Sequence, residues 1–291
     1  MDLGAGTRGS SGGPAAIRRT DLASRLGALG LAVEDRGDVP VPSRPSKPGS
    51  SGFKYAEEIR KVCRETAAQT YRAAREGALP VVLGGDHSLA MGSAAGVAKY
   101  HREGKKPIGI LWIDAHGDMN TPKTSPSGNI HGMPLAHLVG LGDKRLNRLA
   151  GFVPAIDPSR ACLIGIRDLD EGEKGNMRQA GVRVFTMSEI DRHGMARVAA
   201  EALERAGAGA AGVHVSFDID AADPSIAEGT GTKQRGGLTY REAHLLMEII
   251  CESKRMVSLD MVEVNPLEDT HNATAVLASE LIQSALGKRI Y

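Results

Sequence analysis

Along the chain, short runs of apolar residues alternate with stretches in which apolar residues return every three or four positions. A continuous apolar run bounded by polar residues predicts a strand buried on both faces, and the wider spacing predicts an amphipathic helix. Residues 1–14 hold Gly4, Gly6, Gly9, Gly12 and Gly13 and predict a loop or flexible start. Ile17, Leu22, Leu26 and Leu29 give 15–29 the spacing of a helix, and 31–34 is a short strand candidate. The proline- and serine-rich stretch 40–52 predicts a loop, and 55–76 a long amphipathic helix.

From residue 79 strand and helix alternate. Strands are predicted at 79–83, 108–113, 161–166, 182–185, 213–217 and 256–262. Helices are predicted to about Arg102, from a Ser188 cap to about Ala206, from Thr239 to about Ser253, and from about Asn272 to Leu286; Glu242 completes a capping box with Thr239. This order predicts an α/β fold of three layers, αβα, with a mostly parallel sheet between helices. With no internal repeat and no clear linker, residues 1–291 are expected to form a single catalytic domain.

Composition narrows the class. Hydrophobic residues make up 41% but aromatics only 3%, so the core is built from Ala, Val, Ile, Leu and Met. The net charge of +1 argues against a global binder of nucleic acid or anionic membrane. Cys63, Cys162 and Cys251 lie far apart, which fits reduced thiols and a cytoplasmic protein. No apolar run reaches the ~20 residues of a membrane span, and no signal peptide opens the chain.

The chemistry gathers where predicted strands end. Three ligand-type residues, Asp114, His116 and Asp118, come directly after the run 108–113. His87 comes after the strand ending at Leu83, Asp218 and Asp220 close the run beginning at Val213, and Glu263 comes after Val262. Parallel α/β sheets place their sites at these carboxyl ends, so four strand ends converge on one rim. A buried carboxylate is costly unless paired or metal-bound. Two histidines and four aspartates exceed the needs of one ion and suit two divalent ions sharing carboxylates. Oxygen-rich ligation without thiolate favours manganese or magnesium, and the imidazoles favour manganese (Mn2+). Such a pair activates water, so metal-assisted hydrolysis is the reaction class implied. Taken singly the pieces are weaker. Asp86 and Ser88 also suit a helix start, Asp218 and Asp220 a solvated edge, and His131 a satisfied core histidine.

Six stretches carry a resemblance: Gly84-Gly85-Asp86-His87-Ser88, 114–121, 127–132, 216–220 with Asp223-Pro224-Ser225, 236–242, and Glu263-Val264-Asn265-Pro266. In order and spacing they resemble those of the ureohydrolases, and within them the bacterial-type arginases. The resemblance spans nearly the whole chain. It implies conversion of L-arginine and water to L-ornithine and urea by a metal-bridging hydroxide, with two Mn2+ per subunit. Asp114 and Asp218 would bridge the ions, His87 and Asp118 complete one, and His116 and Asp220 the other. Asp118 would pass the proton to the leaving amine, His131 act as shuttle or general acid, and Glu263 pair with the guanidinium. Asn120, Ser127 and Asn129 would hold the α-carboxylate, and Asp168, Asp170 and Glu173 the α-amino group, with Thr232 retained beside them. Agmatine lacks the carboxylate, so the first set favours arginine. A homo-oligomer, trimer or hexamer, is also implied, with no nucleic-acid or membrane partner.

Three departures stand out. Family members usually carry a strand before the segment matching Met1-Asp2-Leu3-Gly4, and its loss is expected to leave unpaired backbone and exposed apolar surface. Ala221-Ala222 stands where Gly-Leu is usual. The stretch 231–235 is more charged than the family's. The competing readings are an agmatinase or guanidinobutyrase, an arginase-like protein that binds without turnover, and, more remotely, a one-metal zinc deacetylase on a similar scaffold.

Overall fold

The most continuously apolar runs form the middle of a sheet. In the computed structural model, which describes residues 1–49 and 53–290, β1 (Val81–Leu83), β2 (Gly109–Ile113), β3 (Ala161–Ile166), β4 (Arg183–Thr186), β5 (Val213–Asp218) and β6 (Met256–Val262) pair in parallel. Their order is β1-β6-β5-β2-β3-β4. Every residue of β2, β3 and β5 is buried, whereas β1, at one edge, is half-buried.

Parallel neighbours require crossovers, and helices supply them. The helices are α1 (Gly13–Arg18), α2 (Leu22–Gly27), α3 (Ala56–Arg75), α4 (Ala90–Glu103), α5 (Pro134–Leu138), α6 (Lys144–Asn147), α7 (Glu171–Ala180), α8 (Met187–His193), α9 (Met195–Gly207), α10 (Tyr240–Ser253) and α11 (Ala273–Ala285). Side chains alternate across a strand, so Leu111 and Ile113 pack with α1, α2, α9, α10 and α11 on one face. Ile110 and Trp112 pack with α4 and α5 on the other. The three-layer expectation is met. Among the described residues no helix is long and apolar enough to cross a membrane.

Four local expectations need correction. Residues 15–29 are not one helix: Asp21, at φ +62°, separates α1 from α2, and Ser24 Oγ donates to its side chain. Asp and Asn visit this left-handed region more readily than most residues. Residues 31–34 are not a strand; no strand lies alongside them among the described residues, and Leu31 and Val33 are 38% and 45% exposed. Thr186, not Ser188, caps the helix after β4, with Glu189 at its third position, and Gly194 at φ +79° divides α8 from α9. The glycine-rich start is pinned rather than loose. Met1, Leu3 and Ala5 are buried, and the Met1 carbonyl accepts the Asp86 N–H at 2.8 Å. Of the proline- and serine-rich loop, residues 40–49 are irregular as expected, and 50–52 lie outside the described residues.

Candidate metal centre and adjoining pocket

Each candidate ligand leaves the carboxyl end of a strand, and the register aligns those ends. Leu83 pairs with Met261, Ile113 with Phe217 and Asp218 with Val262, so the segments leaving β1, β2, β5 and β6 meet at one level. After β1 the chain turns tightly past the amino-terminal segment. A Cβ on Gly85 would stand 1.7 Å from the Met1 carbonyl oxygen, so only glycine fits. Asp86 serves this turn: its carboxylate accepts the N–H groups of Ser88 at 3.0 Å and Gly4 at 2.9 Å. That leaves His87 as the residue aimed inward. Asp118 and Glu263 both sit at positive φ, +51° and +62°. Such backbone is uncommon for glutamate and tends to gather at functional sites.

The six candidate metal ligands come together in two overlapping groups. His87 Nδ1 lies 3.2 Å from one oxygen of each of Asp114, Asp118 and Asp218. His116 Nδ1 lies 3.1 Å from Asp220 Oδ2 and 3.4 Å from Asp114 Oδ1. Asp114 thus presents one oxygen to each imidazole. His87 Nδ1 is buried, faces three carboxylates and makes no hydrogen bond to any of them. An orphaned lone pair amid three carboxylate oxygens fits a divalent cation. The donor set of imidazole and carboxylate therefore fits two such ions, and Asp218 stands in the first group with its second oxygen accepting the Asp220 N–H at 2.9 Å.

The electrostatics describe the same demand for positive charge. Burial disfavours a charged His87, yet its three carboxylates outweigh this and raise its pKa well above the ordinary value. Burial likewise opposes charge on His116, but Asp220 and Asp114 push it up to about 12. Burial and then the neighbouring carboxylates raise Asp218 well above its usual range. Burial and the charge of Asp114 bring Asp118 up to about 6. Asp118 and Asp218 are thus costly to ionise without a cation beside them.

A cavity of about 160 Å³ opens beside the cluster. His87, His116, Asp118, Asp218 and His131 form its floor, and Thr232, Asn120, Ser127, Asn129, Asp170 and Glu173 its walls. Glu263 is buried below: its Oε1 accepts the His87 N–H at 2.9 Å and lies 3.0 Å from His131 Nδ1. Burial works against a charged His131, but Glu263 lifts it to about 9. Burial and Asp118 bring Glu173 up to about 7. Two candidates stand differently from the others. Asp168 is at the rim outside this lining, 3.8 Å from His116 Nε2 and accepting from Gln234 Nε2 at 2.6 Å. Asn120 lines the cavity, but its amide is engaged with Asp170 Oδ2 at 2.7 Å and Thr124 Oγ1 at 2.9 Å.

Three supporting residues carry no clear mark in the sequence. Ser216 Oγ lies 2.8 Å from His87 Nε2, which fixes the ring so that Nδ1 faces the carboxylates. Trp112 stacks on the same imidazole at 4.0 Å and donates its Nε1–H to Asp114 Oδ2 at 3.0 Å. Arg167 gathers backbone carbonyls: Asp220 at 2.7 Å, Gln234 at 2.8 Å, Ala221 at 3.1 Å, Gly165 at 3.2 Å and Ala222 at 3.3 Å. Alternation could have signalled Ser216, which shares one strand face with His214 and Asp218. Removing an imidazole's outer partner typically costs about 10–100-fold in metal affinity. Ser216→Ala is therefore expected to weaken metal binding by about that factor, read by titrating metal into the stripped protein. Unchanged affinity would show that Trp112 alone holds the ring.

Comparison with known proteins places this arrangement. The model of the arginase family matches residues 1–287. The arginase of Bacillus caldovelox is 44% identical over 292 residues, spanning 100% of this chain and 96% of that protein. The native crystal structure of that arginase superposes with a TM-score of 0.95, covering 100% of this chain and 97% of the other. The Entamoeba histolytica arginase, solved in complex with L-ornithine, is 32% identical, with a TM-score of 0.90 over 98% of this chain and 95% of its own.

Proposed function

Because the chain belongs to the arginase family, we propose that it hydrolyses L-arginine to L-ornithine and urea with two manganese ions bound. The observation that carries this reading is Asp114, which offers one oxygen to each of two histidine-centred groups at the floor of a cavity with an acidic wall. His87, Asp114, Asp118 and Asp218 would hold one ion, and His116, Asp114, Asp218 and Asp220 the other. Bound there, the pair lowers the pKa of water and supplies a nucleophile at neutral pH.

The chain's own residues do the rest. Glu263, held by the His87 N–H and His131, is placed to accept the substrate's guanidinium through a charge-assisted pair and to orient it. Water adds to the guanidinium carbon, the bond to the side-chain nitrogen breaks, and that nitrogen leaves as an amine. Asp118, on the cavity floor beside the reacting carbon, passes a proton to that amine. His131 is protonated below about 9 and serves as the proton shuttle. Asp170 and Glu173 meet the α-ammonium from the wall, with Asp168 at the rim. Ser127 and Asn129 meet the α-carboxylate, and Asn120 ties the two loops together. Thr232 donates to Asp220 Oδ2 at 2.9 Å and steadies a ligand. The same reading takes 1–291 as one catalytic domain acting in a cytoplasmic homo-oligomer.

The test is urea release after preincubation with manganese, with L-arginine and agmatine side by side and a metal-free control. Metal-dependent urea from arginine, with agmatine at least about a hundredfold poorer, is the expected outcome. Equal or better use of agmatine would make the protein an agmatinase. No urea from either would reject hydrolysis at this site.

A further inference from the structure

The cavity's lining is mixed in charge. Asp170 and Glu173 supply acids to it. Ser125, Pro126, Ser127 and Asn129 form a stretch of wall with no charged residue. Behind this neutral wall stands a cation that no sequence motif marks. Lys54 donates from Nζ to Asn129 Oδ1 at 2.9 Å and from its backbone N–H to the Gly128 carbonyl at 3.0 Å. Among the described residues no carboxylate lies within 4.0 Å of its ammonium.

Hydrogen-bond chemistry then sets the direction of the contacts along this stretch. An ammonium can only donate, so it commits the amide oxygen of Asn129 and leaves the NH2 group to donate elsewhere. Neighbouring hydroxyls are arranged alike: Ser127 Oγ accepts the Asn129 N–H at 3.2 Å and Ser125 Oγ accepts the Gly128 N–H at 3.0 Å, which leaves both hydroxyl protons to give away. This stretch of wall is thus a set of donors backed by a positive charge with no carboxylate beside it. Asp170 and Glu173 are the acids of the same lining. A zwitterion with its anionic head toward residues 125–129 and its ammonium toward the acids matches both.

We propose that Lys54 is a specificity-determining residue: it orients the Asn129 amide and supplies the charge by which the pocket selects an α-amino acid over the corresponding decarboxylated amine. The inference rests on the arginase reading and names the residue behind its substrate preference. Loss of one charge-backed contact of this kind costs about tenfold in affinity.

The experiment uses manganese-loaded protein and Lys54→Met, with Lys54→Arg as the conservative variant. For Lys54→Met, KM for L-arginine is expected to rise about tenfold while kcat changes less than about twofold. Calorimetric Kd for L-ornithine should weaken by a similar factor, while Kd for 1,4-diaminobutane, which lacks the carboxylate, stays within about twofold. Lys54→Arg should recover most of the ornithine affinity. Equal weakening of both ligands would make Lys54 a structural residue of the loop, and no weakening of either would remove it from recognition; each overturns the proposal. The binding arms need no turnover. A parent protein that releases no urea therefore rejects the reaction while Lys54 is still judged on ornithine against diaminobutane.

Discussion

Asp114→Ala is expected to lower urea production from arginine by about a thousandfold or more and to strip both metal positions together. The side chain is 1% exposed and serves both histidine groups at once. It also accepts the His116 N–H at 2.7 Å and the Trp112 Nε1–H at 3.0 Å, so truncation leaves the buried indole donor unpaired at about 1–3 kcal/mol and the half-buried His116 donor at less. Asp114→Asn separates these effects, because an amide oxygen still accepts one of those bonds while the bridging charge is gone. Both variants should bind far less manganese by elemental analysis, and Asp114→Asn should melt closer to the parent. Either variant retaining two ions and more than about a tenth of the parent turnover would defeat the two-metal assignment.

The second large effect is expected from His131→Asn. General acid–base catalysis typically supplies about 10²–10⁴-fold, and a loss in kcat of that order is expected with manganese content unchanged. His131 is no member of either histidine–carboxylate group; its Nδ1 lies 3.0 Å from Glu263. The pH profile gives an independent reading. Glu263 lifts the imidazole to about 9, so the protonated shuttle persists through neutrality and is lost on the alkaline side. Cations facing the same cavity pull that value down, so the alkaline limb is expected at or below about pH 9, and His131→Asn should abolish it. A fall in bound metal matching the fall in turnover would instead make His131 a support for the ligands.

Much of this site is legible along the chain because its cost is visible there. Asp114, Asp218 and Asp220 stand at the ends of largely apolar runs, where a carboxylate has no water to turn to, and the structure buries all three. The strands announced themselves the same way, since β2 and β3 are apolar throughout and buried throughout. What stayed hidden depends on distance or on competition. Lys54 and Asn129 are 75 residues apart, and nothing local marks either as the other's partner. Residues 31–34 have the composition of a strand, but strand formation needs a neighbouring ladder that the local pattern does not report. Asp21 interrupts a run whose apolar spacing continues straight through it, because a single residue in the left-handed region breaks a helix without disturbing its hydrophobic period.

The guanidinium of Arg167 bears on how such a protein diverges. Its five carbonyl partners belong to three separate segments, one of which carries the proposed ligand Asp220 and another Gln234 of the rim. A single rigid fork fastened to all of them makes the rim and the carboxylate cluster one mechanical unit. Stretch 231–235 is therefore not a cassette to be exchanged for another substrate preference at no cost below. A new backbone path at Gln234 must either abandon one arm of the fork or tug, through the other, on the turn that holds Asp220. Changes of preference by this route are expected to carry a toll in metal retention, so that the loop's freedom to vary is bounded from beneath by a cluster it never touches.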